Sequence, residues 1–290
     1  MRSNGLLKKA KYCDNCKILC FQVRQSEKVD QCVFRCSKGR TKYSIRQDSF
    51  FSCSHLPLKT ILTVMYLFMM KVPMKTMMKM LLGISSKTMV DWFNLCRDIC
   101  SWRILEDIYK LGEDEDDIVE IHESKFGRKR KYAKESTRNQ EGTWVFGMIG
   151  RKRQRVFIFA VEDRKRETLQ PYMQAHIKSG ATVHSDELST YFNLKDIGYN
   201  HKTVNHSEEF VSAEGIHTYT IEGFWGNGKH HFKQIREVNR NLLGPHLDEI
   251  MYRGNYKNTD IVRKFFHDVT AKFNVNHDLP KDATNQYKSI

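Results

Sequence analysis

No run of apolar residues in this chain is long enough to cross a bilayer. The best candidate, Ile61 to Met70, is closed off by Lys59 and Lys71 and has about half the length that a spanning helix needs. It reads as a buried helix, and no membrane partner is expected. Met1 to Tyr12 has lysines but no apolar stretch to form a signal-peptide core, so secretion is not expected. Internal repeats and low-complexity tracts are absent as well. Acidic residues are in short supply: 34 Asp and Glu stand against 48 Lys and Arg, which gives a formal net charge of +14 and a pI near 9.3. Such an excess favours a polyanionic partner, because neutralising phosphates releases counterions whatever the sequence. Nucleic acid is the first candidate. At 290 residues and 40% hydrophobic content, the chain can bury one sizeable core and a small accessory domain.

Eight cysteines in a chain not expected to be secreted point to metal binding or packing before disulfides. Cys13 and Cys16 form a Cys-x-x-Cys knuckle, and Cys32 with Cys36 is an irregular second pair. Residues 1–52 therefore read as a zinc-ribbon-like segment with Cys13, Cys16, Cys32 and Cys36 as Zn²⁺ ligands, or as a small cysteine core that no longer holds metal.

Residues 53–112 read as helical. Leu58, Ile61, Leu62, Met65, Tyr66 and Met69 recur at helical spacing, Met74 to Leu82 forms a second helix ended by Gly83, and Ser85 or Ser86 caps a third. The Gly-Ile-Ser-Ser-Lys-Thr turn between the last two suggests a helix-turn-helix that would bring Lys87 to DNA, against the plainer reading of a helical bundle. The methionines Met74, Met77, Met78 and Met80 are expected in the core.

Residues 113–290 read as α/β. The acidic run Glu113 to Asp117 is expected to be a solvated linker. In Ile118 to His122 alternation puts Val119 and Ile121 on one face, Glu120 and His122 on the other. Trp144 to Ile149 and Val156 to Val161 flank the basic turn Arg151-Lys152-Arg153-Gln154-Arg155 as a hairpin. Glu167 to Ile177 is a helix, Ala181 to His184 a strand ending at Ser185-Asp186, His201 to Val204 another strand, and Tyr219 to Leu243 one long closing helix. This order suggests a ribonuclease H-like catalytic domain. The basic residues Lys125, Arg128, Lys129, Arg130, Arg151, Lys152 and Arg153 flank the segments that carry His122 and Asp186, where a phosphate backbone would lie. His201 and His206 are expected beside the site and not as ligands.

Several stretches together resemble the Merlin-type DDE transposases, eukaryotic relatives of small bacterial insertion-sequence transposases. They are Val119-Glu-Ile-His-Glu-Ser-Lys-Phe-Gly-Arg128, Trp144-Val-Phe-Gly-Met148, Asp163-Arg164 with Thr168-Leu169, Ser185-Asp186 with Tyr191, His201 to Ser207, and His217-Thr-Tyr-Thr-Ile-Glu-Gly-Phe-Trp225 with Lys229. Ser44 to Phe51 and the cysteine segment extend the likeness over nearly the whole chain. The resemblance implies a site in which three acids hold two Mg²⁺ or Mn²⁺ ions. Carried over, the second acid is Asp186 and the third Glu222, while the first falls on His122. Glu120, Glu123, Trp225 and Lys229 would surround them. Thr41 stands where the family's ribbon implies the last cysteine.

Imidazole offers one nitrogen and no negative charge, so metal binding at His122 is expected to be weak or lost unless Glu120 supplies an oxygen or a softer ion accepts the ring. The leading expectation is a transposase-derived DNA-binding protein with impaired chemistry. The alternatives are an active enzyme that cleaves and joins DNA, and a protein-interaction module on the old scaffold. The resemblance implies terminal inverted repeats of a mobile element as the DNA partner, with a homodimer as a candidate assembly. It also implies the nucleus in a eukaryote and the cytoplasm otherwise.

Overall fold

Strand β4 (Ile118–Phe126) is the axis of the larger unit, and its alternation is the one read from sequence. Phe126 meets the Trp225 and Phe232 rings, and His122 and Glu120 bond to the same helix. The computed structural model describes residues 4–81, 83–114, 116–126, 142–204, 216–235 and 242–275. Contacts divide the chain into two units, residues 103–258 and residues 4–102 with 259–275.

In the larger unit, β5 (Thr143–Gly150) and β6 (Val156–Val161) join β4 as an antiparallel meander. β7 (Thr182–Asp186) and β8 (Asn200–Val204) then extend the sheet in parallel, giving the order β6-β5-β4-β7-β8. Helix α4 (Arg166–His176) connects β6 to β7. Helix α5 (Tyr219–Ile235) packs on β4 and β5, and α6 (Leu243–Asn255) on β6. Gly147 lets α5 come close, since a Cβ there would sit 2.5 Å from the Trp225 ring.

Two sequence expectations are refined here. Of the long helix expected over Tyr219 to Leu243, α5 covers Tyr219–Ile235, residues 236–241 lie outside the described residues, and a helix α6 starts at Leu243. Pro245 is accommodated in α6 because proline costs a helix little in its first turn, where amides lack intrahelical partners anyway. The acidic run is not simply solvated either: Asp117 is buried, and its Oδ1 accepts the Lys152 amide at 2.9 Å, fastening the β5–β6 turn.

The smaller unit contains an antiparallel sheet of β1 (Phe21–Arg24), β2 (Cys32–Arg35) and β3 (Lys42–Ser44). It also holds α1 (Leu58–Met69), α2 (Met74–Met80) and α7 (Ile261–Lys272), the last capped by Asp260. The helix α3 (Ser86–Glu106) begins in this unit, and the Ser85 hydroxyl caps it by accepting the Thr88 amide at 3.1 Å. Of the methionines expected in the core, Met77 is buried and Met80 is 60% exposed. Met80 is the last residue of α2 and stays exposed at the end of the helix.

Candidate active-site corner and cysteine cluster

Parallel register determines which residues share the corner. Glu120 pairs with His184, so two residues further along each strand His122 comes alongside Asp186 on the same face. The imidazole Nε2 lies 3.9 Å from Asp186 Oδ2. The other ring nitrogen, Nδ1, is 3.1 Å from the Trp225 indole N–H. Indole nitrogen is only ever a donor, so Nδ1 must be the acceptor and the ring proton must sit on Nε2. His122 therefore presents an N–H, not a lone pair, toward the Asp186 carboxylate.

Asp186 closes β7, and its Oδ1 accepts the Leu188 amide at 3.2 Å. Glu222 lies in the first turn of α5, where its Oε1 accepts the Thr218 hydroxyl at 2.7 Å. Ligand atoms of His122, Asp186 and Glu222 do not all come within 4.8 Å of one another; among the described residues only two other groups meet that distance. The structure thus brings His122 to Asp186 without gathering all three ligand atoms at one point.

Glu120 is fully buried, and its oxygens are already committed. Oε1 accepts the Arg151 Nε at 2.5 Å and the Thr220 hydroxyl at 2.8 Å, while Oε2 accepts the Ile221 amide at 3.0 Å. The carboxylate so caps the start of α5, where unpaired amides and the helix dipole favour a negative group. Arg151 also donates to the His217 carbonyl at 2.7 Å and lies 3.3 Å from His184 Nδ1. Burial, with Arg151 beside it, pulls His184 down to about 4, and lowers His217 in the same direction. Arg151, expected at a phosphate backbone, therefore points inward, because a fully buried carboxylate needs a cation. Sequence reading missed this Glu120, Arg151, His184 and His217 network; His217, two residues before α5, was the available signal.

Glu123 faces the other side of β4. Burial first, and then the negative charge of Asp186, push its carboxyl up to about 8, and its Oε1 has no hydrogen-bond partner among the described residues. Arg164 partly offsets this, and its guanidinium stacks 4.2 Å above the Trp144 ring. His201, buried, shares a 2.8 Å hydrogen bond with the Ser185 hydroxyl just before Asp186, and burial lowers it to about 4.

Of the remaining basic positions, Lys87 and Lys229 are exposed on α3 and α5, and Lys125 is exposed with its ammonium 5.5 Å above the Trp144 ring. Arg153 pairs with Asp114 at 2.7 Å, and Lys152 engages Asp117 through its amide. Arg128, Lys129, Arg130 and His206 lie outside the described residues.

In the smaller unit the sulfurs of Cys13, Cys16 and Cys36 lie within 4.8 Å of one another. Cys32 is not among them. It opens β2 opposite Arg24, so its expected place in the cluster is corrected. Two matching knuckles hold the sulfurs: the Cys16 amide approaches Cys13 Sγ at 3.5 Å, and the Gly39 amide donates to Cys36 Sγ at 3.1 Å. By that correspondence Gly39 borders the fourth corner, with Thr41 Oγ1 3.6 Å from where its Cβ would be. A Cβ at Gly39 would lie 3.0 Å from Cys16 Sγ and 3.7 Å from Cys36 Sγ. The Tyr43 hydroxyl and the Cys16 amide draw Cys13 down to about 6, while burial and the neighbouring thiols raise Cys16. One thiolate at Cys13 is thereby favoured, as an electropositive ligand would require.

Residues 115–255 match the model of the ISXO2-like transposase domain, a stretch just under half of the chain that contains His122, Asp186 and Glu222. No curated protein matches the chain. A solved chain of the simian T-cell lymphotropic virus intasome in complex with PP2A regulatory subunit B56 gamma is similar at 8% identity, with a TM-score of 0.34 over 66% of this chain and 67% of that one. Within the mixed five-stranded unit, residues 115–255 are thus similar to the ISXO2-like transposase domain.

Proposed function

We propose that this chain is a transposase-derived DNA-binding protein whose ribonuclease H-like, Merlin-type domain has lost two-metal strand cleavage. The observation that carries the loss is the Trp225 hydrogen bond to His122 Nδ1 at 3.1 Å, which leaves Nε2 protonated toward Asp186. Two-ion polynucleotidyl transfer needs an anionic oxygen at that corner to bridge the cations. A protonated ring nitrogen cannot coordinate a cation at all. Glu120 does not stand in, since Arg151 and the start of α5 occupy both its oxygens. Glu123, pushed up to about 8, is largely uncharged at neutral pH. These donors do not fit a pair of Mg²⁺ ions.

DNA affinity rests on the net charge of +14 and on exposed cations such as Lys87 and Lys125. The three clustered thiols fit a Zn²⁺ ion with one exchangeable position, in a zinc-ribbon-like segment whose fourth ligand is missing. Terminal inverted repeats are the DNA class that the ancestry suggests, with a homodimer as the proposed assembly.

The test is DNA binding across a salt series, run beside a cleavage assay in Mg²⁺ and in Mn²⁺. The expected result is affinity that falls steeply as salt rises, with no strand cutting. Cutting by the natural protein would refute the loss of chemistry. Salt-insensitive or absent binding would favour a protein-interaction role instead.

A further inference from the structure

We propose that His231, His246 and Glu249 form a second metal site, for one divalent transition-metal ion of the Zn²⁺ type, held between α5 and α6. It shares no residue with the cysteine cluster or with the His122 corner. His231 projects from α5, and His246 and Glu249 project from α6 at a spacing that puts both on one face. The two nitrogens, His231 Nε2 and His246 Nδ1, are 3.1 Å apart, and Glu249 Oε2 is 4.0 Å from His231 Nε2. All three donor atoms lie within 4.8 Å of one another.

Two imidazole nitrogens bound to one tetrahedral zinc at roughly 2.0–2.1 Å sit about 3.3 Å apart, so the two rings already have close to ligand spacing. The carboxylate needs only a small side-chain adjustment to join them. Two imidazoles with one carboxylate suit Zn²⁺ and its first-row neighbours better than Mg²⁺, which takes an all-oxygen shell. His246 and Glu249 are buried, while the His231 side chain is 20% exposed, so the pocket has one side open for the ion and a water. Arg253 donates to Glu249 Oε1 at 2.8 Å. That bond orients the carboxylate and leaves Oε2 toward His231, the part that outer-shell partners play around metal ligands. Bound there, the ion would pin α5, which carries Glu222, to α6.

The competing account is a neutral histidine pair sharing one hydrogen bond beside a Glu249–Arg253 ion pair, which needs no metal. Full-length protein with Cys13→Ser and Cys16→Ser removes the thiol cluster from the measurement. This protein is equilibrated with Zn²⁺, passed through a desalting column and assayed for bound metal, with Co²⁺ absorption as a second readout. The expected result is one retained ion per chain, a tetrahedral cobalt spectrum, and a Tm that falls on chelation. His231→Gln, a change at the most exposed of the three ligands that retains hydrogen bonding, is expected to lower affinity at least tenfold and to abolish the chelation shift. Absence of retained metal, or equal retention by the variant, overturns the proposal. If the variant melts earlier than the chelated parent, its Co²⁺ titration is done well below that melting point, and an unchanged cobalt spectrum again overturns it.

Discussion

Two corners of this protein each fall one donor short of the metal site proposed for them, and they fall short in opposite ways. In the cysteine cluster the fourth position is a gap: Gly39 donates its amide to Cys36 as a knuckle should, but carries no side chain. At the strand corner the position is filled by His122, and the filling group is tied by Trp225 into the protonation state that excludes a cation. A gap leaves the remaining donors arranged as before. An occupied position recruits its neighbours into a different network, so the first defect is local and the second is shared with Asp186 and Trp225.

The sharpest way to break this contrast is to return the acid. In His122→Asp the Trp225 N–H can donate to the new carboxylate, and an anionic oxygen stands beside Asp186. Cleavage of end-repeat DNA in Mg²⁺ or Mn²⁺ is expected to rise from background by on the order of 1000-fold, equivalent to about 4 kcal/mol of barrier. Purified variant and natural protein on one labelled duplex give the comparison. Continued silence would mean that the spacing of the three groups, which do not all meet within 4.8 Å, is at fault as well as the residue at 122.

Filling the gap comes next in size. Gly39→Cys is expected to tighten zinc binding by on the order of 100-fold in a chelator competition, because three sulfurs are already gathered and four thiolates close a structural site. The Cβ contact of 3.0 Å to Cys16 Sγ requires a small shift of that side chain. Thr41→Cys is the control, and is expected to do less. A larger gain from Thr41→Cys would overturn the assignment of the fourth corner.

How much of this was legible beforehand depended on whether the signal was periodic or merely spatial. The alternation in β4 showed that Glu120 and His122 share a face, and the order of strands and helices showed an α/β unit. The motif segments picked out His122 and Asp186, which register then set side by side. The cysteine partners were not legible, because Cys36 and Gly39 form a knuckle only through a backbone turn, and a glycine leaves no trace of a missing ligand. Arg151 was misread for a related reason. A run of cations looks solvated, and nothing local shows that one of them must neutralise a carboxylate 31 residues away in a buried strand.

A smaller effect tests the electrostatics of the occupied corner. Glu123 has its carboxyl raised from 4.5 to about 8, chiefly by burial, so the fold favours the protonated form. Its penalty is absent below the unfolded value, grows as pH rises from about 4.5 to 8, and is constant above that. Glu123→Gln should remove this decline and leave the variant more stable than the parent near pH 8.5, with little difference at pH 4. Both proteins share the opposite slope from His184 and His201, each lowered to about 4, which costs stability as pH falls from 6.5. Urea unfolding of the pair at four pH values isolates Glu123, and a constant difference across the range would rule out this reading.

The smallest expected change asks whether Trp225 is what keeps the filled position closed to cations. Trp225→Phe keeps an aromatic ring against Phe126 and Gly147 but removes the indole N–H. The lost hydrogen bond should cost about 1 kcal/mol, with some further loss from the smaller ring. In return the His122 proton can move to Nδ1, which leaves a lone pair on Nε2 beside Asp186. An imidazole ligand favours Mn²⁺ over Mg²⁺, so Mn²⁺ affinity should rise by roughly 3-fold to 10-fold while Mg²⁺ affinity barely moves. The ring itself would report the change, since ¹⁵N shifts distinguish the two neutral tautomers. If the proton stays on Nε2 in Trp225→Phe, then Asp186 alone fixes the tautomer. The corner would then be closed by the histidine and its carboxylate neighbour, whatever donor stands behind the ring.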